Sequence, residues 1–428
     1  MGVMVALISI LALGGVVYAA NSYRITKGGA ATVTVNEHGV CKNVKNDNAT
    51  SDIFIPTKTS NEWSLFRSNA DNVTFTNCVI IATGSGHSCA VINGAAKCWG
   101  NNDHGQLGDG TKTNRTTPVA VSGLSSGVTD ISITTWHSCA IQNGAAKCWG
   151  ENDHGQLGDG TKTDRLTPTT VSGLSSGVTD IEASVNAACA VHNGAAKCWG
   201  WASYEYSGES AQPDRTTPVT ISGLSSGVTS ISTSGASGCA IQNGAAKCWG
   251  YNEFGQLGDG TKTERPSPIT PSGLSSGVTY IGMGGFSSCA IHNGAVKCWG
   301  LNAYYNRTSV SKTDNTGSLT PVAVSDLSSG IDSLAPAGWH ACVAQNGAAK
   351  CWGLNASGEI GDGTKTNRLN QRTAVSGLSS GVTLVSAGTN HSCGVHNGVV
   401  KCWGSNYYGQ IGDGTKTDRT TPVTVSGL

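Results

Sequence analysis

Residues 89–98 read CAVINGAAKC, and close copies of this decamer return at 139–148, 189–198, 239–248, 289–298, 342–351 and 393–402. At its centre, Asn93-Gly94 is a strong two-residue hairpin signal, because a type I′ turn needs φ > 0 at both positions. Counting outward from that turn, Ile92 faces Ala95, Val91 faces Ala96, Ala90 faces Lys97 and Cys89 faces Cys98. Facing pairs alternate between hydrogen-bonded and non-hydrogen-bonded. The cysteines fall on a non-hydrogen-bonded pair, where Cα atoms approach to about 4.5 Å, a separation that suits a disulfide. The spacing predicts seven cross-strand bridges: Cys89–Cys98, Cys139–Cys148, Cys189–Cys198, Cys239–Cys248, Cys289–Cys298, Cys342–Cys351 and Cys393–Cys402. Metal binding is the competing reading of paired cysteines, but there is no CxxC and each pair stands in its own copy. Cys41 and Cys78 remain as an eighth pair, Cys41–Cys78, bracketing the N-terminal segment. Sixteen cysteines in eight bridges imply an oxidising compartment.

The decamer belongs to a unit of about fifty residues repeated seven times. In the first unit, apolar runs 89–92 and 95–99 flank the turn, a Gly/Asp/Thr loop leads to 118–121, and GLSSG leads to 128–133. Four short strands per unit, repeated radially, predict an all-β seven-bladed β-propeller of four-stranded blades. The last unit ends at TPVTVSGL and lacks the strand that follows GLSSG elsewhere, while 79–82 stands in that place ahead of the first unit. The expectation is that this N-terminal strand completes the last blade and removes both open edges of the ring.

GHSCA (86–90), CWG, GQLGDGT and a TPV strand recur together at this period, and the combination resembles the regulator-of-chromosome-condensation repeat over residues 80–428. The resemblance implies a seven-bladed propeller. Two units depart from it: WASYEYSGESAQPDRTTP (201–218) and LNAYYNRTSVSKTDNTGSLTP (301–321) both lack GQLGDGT, which puts their local loop shape in question.

Ahead of the repeats, MGVMVALISILALGGVVYAANSYR (1–24) resembles the N-terminal hydrophobic helix of type IV pilins and prepilin-like bacterial proteins. The basic leader, small residue and Glu of that family do not stand before it here. A cleaved signal peptide and an uncleaved anchor are the alternatives, and each argues for export. The expected organisation is 1–20 as a hydrophobic helix acting as signal, anchor or pilin-like segment, 21–78 as a small disulfide-linked cap or stalk, and 79–428 as the propeller. Thr59-Ser60-Asn61-Glu62 has the pattern of a capping box opening a short helix through Phe66. The expected location is extracellular or at the surface of a bacterial cell, with membrane or pilus association through 1–20.

The 27 basic and 27 acidic residues cancel, and no basic block is present. A phosphate-backbone binder normally shows a basic stripe, so nucleic acid is not an expected partner. His87, His137, His340 and His391 precede the first cysteine of their units by two residues; equivalent places in a ring point to separate blades, so hydrogen bonds to a neighbouring turn are expected in preference to a metal site. The Trp of each CWG reads as blade core. Asp109, Asp159, Asp259, Asp362 and Asp413 of GQLGDGT read as turn stabilisers, since one carboxylate per loop is too few for calcium. Sequons occur at Asn48, Asn72, Asn114, Asn306 and Asn355.

The informative variation lies beyond the cysteines. Extending the register places Trp136 opposite Glu151, Asn186 opposite Trp201, Ala236 opposite Tyr251, Phe286 opposite Leu301 and Trp339 opposite Leu354. Tyr204, Tyr206, Phe254, Tyr304, Tyr305, Tyr407 and Tyr408 follow in the same loops. These variable aromatics gather at one end of the hairpins, as a recognition surface requires; drifting loops that pack aromatics on each other are the bland alternative. The expected function is a non-enzymatic binding or adhesion module for an extracellular protein or glycan, with no cofactor and no catalytic residues. The resemblance also allows a secreted enzyme inhibitor, since a bacterial β-lactamase inhibitor protein has a similar propeller. A nucleotide-exchange factor for a small GTPase, the activity of the family's nuclear namesake, is the third class.

Overall fold

In the computed structural model all seven Asn-Gly pairs turn as the sequence requires, with the asparagines at φ of 50–51°. The structure describes residues 78–201, 214–301 and 317–428, and the backbone of six strands before them. Those six are β1 (Leu7–Ile10), β2 (Ala19–Ile25), β3 (Ala30–Asn36), β4 (Gly39–Asn46), β5 (Ile53–Pro56) and β6 (Val73–Phe75). The first blade follows as β7 (Cys78–Thr83), β8 (His87–Ile92), β9 (Ala95–Gly100) and β10 (Arg115–Ala120), and six more four-stranded blades occupy 128–170, 178–220, 228–269, 278–323, 331–374 and 382–424. The propeller is therefore all-β with seven blades. The expected helix over 1–20 falls mostly on residues outside the described ones, and so does the helix expected from Thr59. The described stretches at Leu7–Ile10 and Ala19–Ile25 are extended. Among the described residues no helix is long and apolar enough to cross a membrane.

The hairpin register is as counted from the turn, Val91 opposite Ala96 and Cys89 opposite Cys98. All seven cysteine pairs are bonded across their strands, with Cα separations of 4.0–4.2 Å. Backbone pairing also sets Cys41 opposite Cys78 between β4 and β7; the side chains of that pair lie outside the described residues.

The constant turn end is one contact seen six times among the described residues. A Cβ on Gly127 would sit 2.1 Å from Asn143 Oδ1, so the last glycine of GLSSG leaves room for the asparagine of the next hairpin turn. The leucine of the same motif, Leu124, is fully buried and its carbonyl accepts Ala96 N at 2.9 Å.

Ring closure differs from the expectation. The strand after GLSSG pairs with the hairpin of the following unit, as in Ile131 opposite Ala140, because its apolar residues pack in the seam beside that hairpin. The blade frame is thereby shifted by one strand. β7 is the inner strand of blade 1, paired with β8, and blade 7 takes its inner strand from Val382–Ala387. No strand is exchanged, and blades 7 and 1 meet only side by side. Val79, Ile81, Ala90 and Trp99 pack there against Leu384, Val395, Ile411 and Val425.

Each CWG tryptophan is buried, but it is a wedge between blades rather than the core of one. Trp149 packs with Val91, Cys98 and Leu107 of blade 1, and its Nε1 donates to the Gln106 carbonyl at 2.8 Å. Trp99, Trp199, Trp299 and Trp403 repeat the bond to the loop of the preceding blade. Trp249 and Trp352 have no such partner among the described residues. They follow the two units that lack GQLGDGT.

Candidate recognition face

The end of the ring away from the Asn-Gly turns is built by the CWG strand, the loop after it and the turn entering each hairpin. Gly150, at φ 106°, ends the CWG strand; a Cβ there would lie 2.4 Å from the Trp136 carbonyl. The close approach locks the two chain segments together. Glu151 N donates to Trp136 O, Trp201 N to Asn186 O, Tyr251 N to Ala236 O, Leu301 N to Phe286 O and Leu354 N to Trp339 O, at 2.8–3.0 Å. The five pairs expected from the extended register are all present.

The loop beyond is organised around a buried asparagine. Asn102 Oδ1 accepts Leu107 N at 2.9 Å, and its Nδ2 donates to the Thr111 and Thr113 carbonyls. Asp109 accepts from Thr111 through one oxygen and from Arg115 through the other. Burial raises the Asp109 pKa, but these bonds outweigh it and hold the carboxyl below its usual range. Both oxygens are committed, which makes the aspartate a turn stabiliser. Asn355 is the equivalent hub of blade 6, fully buried with Nδ2 bonded to the Thr364 and Thr366 carbonyls, so its sequon cannot take a glycan as folded. The Asn114 amide oxygen accepts Asn102 N, while Asn48, Asn72 and Asn306 lie outside the described residues.

On this rigid end the aromatics are held at the seams rather than in a single pocket. Trp136 is half-buried against His104 of the preceding blade, with ring centroids 5.0 Å apart, and Trp201 lies 6.0 Å from His154. Phe286 rests 4.9 Å from Phe254, which meets Tyr251 edge-on at 6.1 Å. Tyr407 stands edge-on to Tyr408, and the Tyr408 ring covers Gly86 of blade 1. Glu151 is half-buried; burial pushes its carboxyl up and His104 partly offsets this. Tyr204, Tyr206, Tyr304 and Tyr305 lie outside the described residues. Among the described residues, the large aromatics with substantial exposure are Trp201 (41%), Phe286 (46%), Trp339 (41%) and Tyr407 (71%). All four are on this end.

Sequence reasoning missed His104 and His154, the supports beneath Trp136 and Trp201. The signal was present: the corresponding position carries Phe254 and Tyr408 in other units. It also misplaced the partners of three of the four hairpin histidines, while His137 has a turn partner as expected, its Nδ1 lying 3.2 Å from Thr134 Oγ1. All four are fully buried, and three of them bond a serine of the next blade rather than a turn. His87 Nε2 meets Ser138 Oγ at 3.0 Å, His340 meets Ser392 at 2.7 Å and His391 meets Ser88 at 2.7 Å. For the fourth, His137, the equivalent position carries Ala188, so its Nε2 has no serine partner and only the Ala187 backbone nearby. Ala188→Ser should complete the series, accepting from His137 and donating to the Gln156 carbonyl, for a gain of about 1 kcal/mol. A raised urea midpoint would bear this out; an unchanged or lower one would remove the hydrogen bond from the account.

The Regulator of chromosome condensation (RCC1) repeat matches the chain over residues 93–141, 143–191 and 243–291. No curated protein matches it over its sequence. In fold it is similar to yeast RCC1 (Prp20) as crystallised with Kap60, at 22% identity and TM-score 0.66, over 78% of this chain and 83% of that one. A structure of Prp20p from Saccharomyces cerevisiae, described with its binding to Gsp1p and histones, is 21% identical with TM-score 0.66 over 81% and 87%. Human WBSCR16 is 17% identical with TM-score 0.51 over 81% of each chain.

Proposed function

We propose that this RCC1-like propeller is a non-enzymatic binding module that presents its aromatic end to a protein or glycan outside the cell. One observation carries the reading: every substantially exposed large aromatic among the described residues lies on the end of the ring where the repeats vary. Such side chains lose little conformational entropy on binding and bury large areas. The seven disulfides support an oxidising location, and the hydrophobic N-terminal segment supports export by anchor or pilin-like assembly. A secreted enzyme inhibitor would use the same face and differ only in its partner. The likeness to Prp20p, described with its binding to Gsp1p and histones, favours an intracellular protein partner as the second reading. The disulfides and the zero net charge weigh against it.

The test is binding of the purified protein to arrays of defined glycans and to intact cells, beside a variant with Trp201, Phe286, Trp339 and Tyr407 changed to Ala. Each anchor is worth about 2 kcal/mol if it is a hot spot, so the variant should bind at least about 100-fold more weakly with unchanged far-UV circular dichroism. Val399→Ala, at the opposite end, should bind normally. Binding that survives the quadruple change moves the site elsewhere, and a wild type that binds no surface component ends the extracellular reading.

A further inference from the structure

The four buried histidines occupy blades 6, 7, 1 and 2, an unbroken arc across the one seam that no connecting loop spans. Blades 3, 4 and 5 carry Ala187, Ser237 and Ser287 in their place. We infer that this arc is an acid-sensitive latch, and that acidification opens the ring at the seam between blades 7 and 1 before any other part of it unfolds.

The hydrogen bonds fix which nitrogen carries the proton. Ser88 Oγ donates to the Gln410 carbonyl at 2.9 Å, so it accepts from His391, whose Nε2 must be the protonated nitrogen. Ser138 donates to the Gln106 carbonyl and Ser392 to the Glu359 carbonyl, which assigns the same tautomer to His87 and His340. Nδ1 of His87, His340 and His391 is then a bare lone pair, buried and without a partner among the described residues. A second proton would place a charge and a donor where no acceptor stands. Burial is the main obstacle to that proton, and neighbouring imidazoles add to it, His391 and His137 around His87 and His340 beside His391.

The sign follows. An unfolded histidine titrates near 6.5, whereas His87 and His391 are lowered to about 3 and His137 and His340 to about 4. Below pH 6.5 an opened seam takes up protons that the closed ring excludes, so closure weakens as pH falls toward 4. The other titratable and charged groups around the arc do not reverse this. Lys97 bonds the Gly427 carbonyl. The carboxyls of Glu359 and, farther along, Asp130 are raised by burial; they act in the opposite direction, and are outnumbered by the four histidines.

What else holds the seam is the apolar cluster of Val79, Ile81, Ala90 and Trp99 against Leu384, Val395, Ile411 and Val425 and a set of hydrogen bonds between groups that carry no charge. Across it stand Thr83 against Ser386 at 2.8 Å, Ser85 against Thr389 at 2.8 Å, Trp99 on the Gln410 carbonyl, and Gly414 N on the Thr116 carbonyl at 3.0 Å. The seam between blades 4 and 5 offers an internal control, because Gly260 N donates to the Leu319 carbonyl at 2.9 Å in the same loop geometry with no histidine in either blade at the latch position.

Hydrogen exchange of the full chain, corrected for intrinsic rates, tests the inference. Between about pH 7 and pH 5 the loop 405–416 should lose protection at least about tenfold, while the loop 251–262 keeps its own. Parallel loss in both loops, or loss in neither, overturns it. A variant carrying His87→Ser and His391→Ser, the residue blades 4 and 5 already use, should keep the 405–416 loop protected at pH 5. If that loop opens with acid as in the wild type, the histidines are not the latch. A variant that is loose even at pH 7 leaves the wild-type comparison to decide.

Discussion

Reduction of the hairpin disulfides should lower the free energy of unfolding by on the order of 10–20 kcal/mol, the largest effect expected for this protein. Each bridge closes a ten-residue loop, worth about 2.7 kcal/mol in the chain-entropy model, and there are seven. The Asn-Gly turn already biases the unfolded chain toward the hairpin, which brings the sum down from its ceiling. Even the lower figure matches the whole stability of a typical domain, about 5–15 kcal/mol, so the reduced chain is not expected to hold its fold. The sulfurs are also shielded, since thirteen of the fourteen hairpin cysteines are at most 1% exposed and Cys198 is 4% exposed. A thiol reductant should therefore act slowly on the native ring and quickly once urea opens it. Circular dichroism in urea, with and without reductant, measures both effects. Coincident midpoints would mean that the bridges contribute nothing and that the argument for an oxidising compartment has lost its basis.

How far the sequence could be read depended on how far apart the interacting residues stand. The hairpin register was legible because turn and sulfurs lie within ten residues, and Asn93-Gly94 permits one register. Extending that register found the pairs Trp136–Glu151 and Asn186–Trp201 for the same reason. The blade frame was not legible. A strand between two hairpins can join either, and a period of about fifty residues is indifferent to the choice. The choice is made in the seam, where Ile131 packs beside Ala140 and Trp149 of the next hairpin. The histidines failed similarly, because the partner of His87 is Ser138, 51 residues on, and belongs to a surface that exists only once two blades are side by side. Burial of Trp149 was legible, but its place between two blades was not, because it packs with Val91 and Leu107 of the preceding blade and its acceptor is the Gln106 carbonyl of that blade's loop. Seam contacts of this kind are where the candidate face acquires its supports, His104 beneath Trp136 and His154 near Trp201.

Removal of β7 should be the most damaging short deletion, and it separates two accounts of how the ring closes. Val79, Ile80 and Ile81 are at most 5% exposed. At about 1.5–3 kcal/mol for each buried side chain, their loss costs roughly 5–9 kcal/mol. The loss falls on two seams at once, since Val79 and Ile81 face blade 7 while Ile80 faces blade 2. It also uncovers the inner edge of β8, an unpaired strand edge open to association. A chain beginning at Gly84 should thus melt far below one beginning at Cys78, which keeps every blade strand and gives up the three register pairs between β7 and β4. Equal melting temperatures would show that β7 is dispensable. The location of the damage is equally informative. With blade 1 built from β7–β10, hydrogen exchange in the deletion should rise first at β8 and β9. If β7 instead completed the last blade, exchange would rise first in 382–424, and closure by strand exchange would have to be restored.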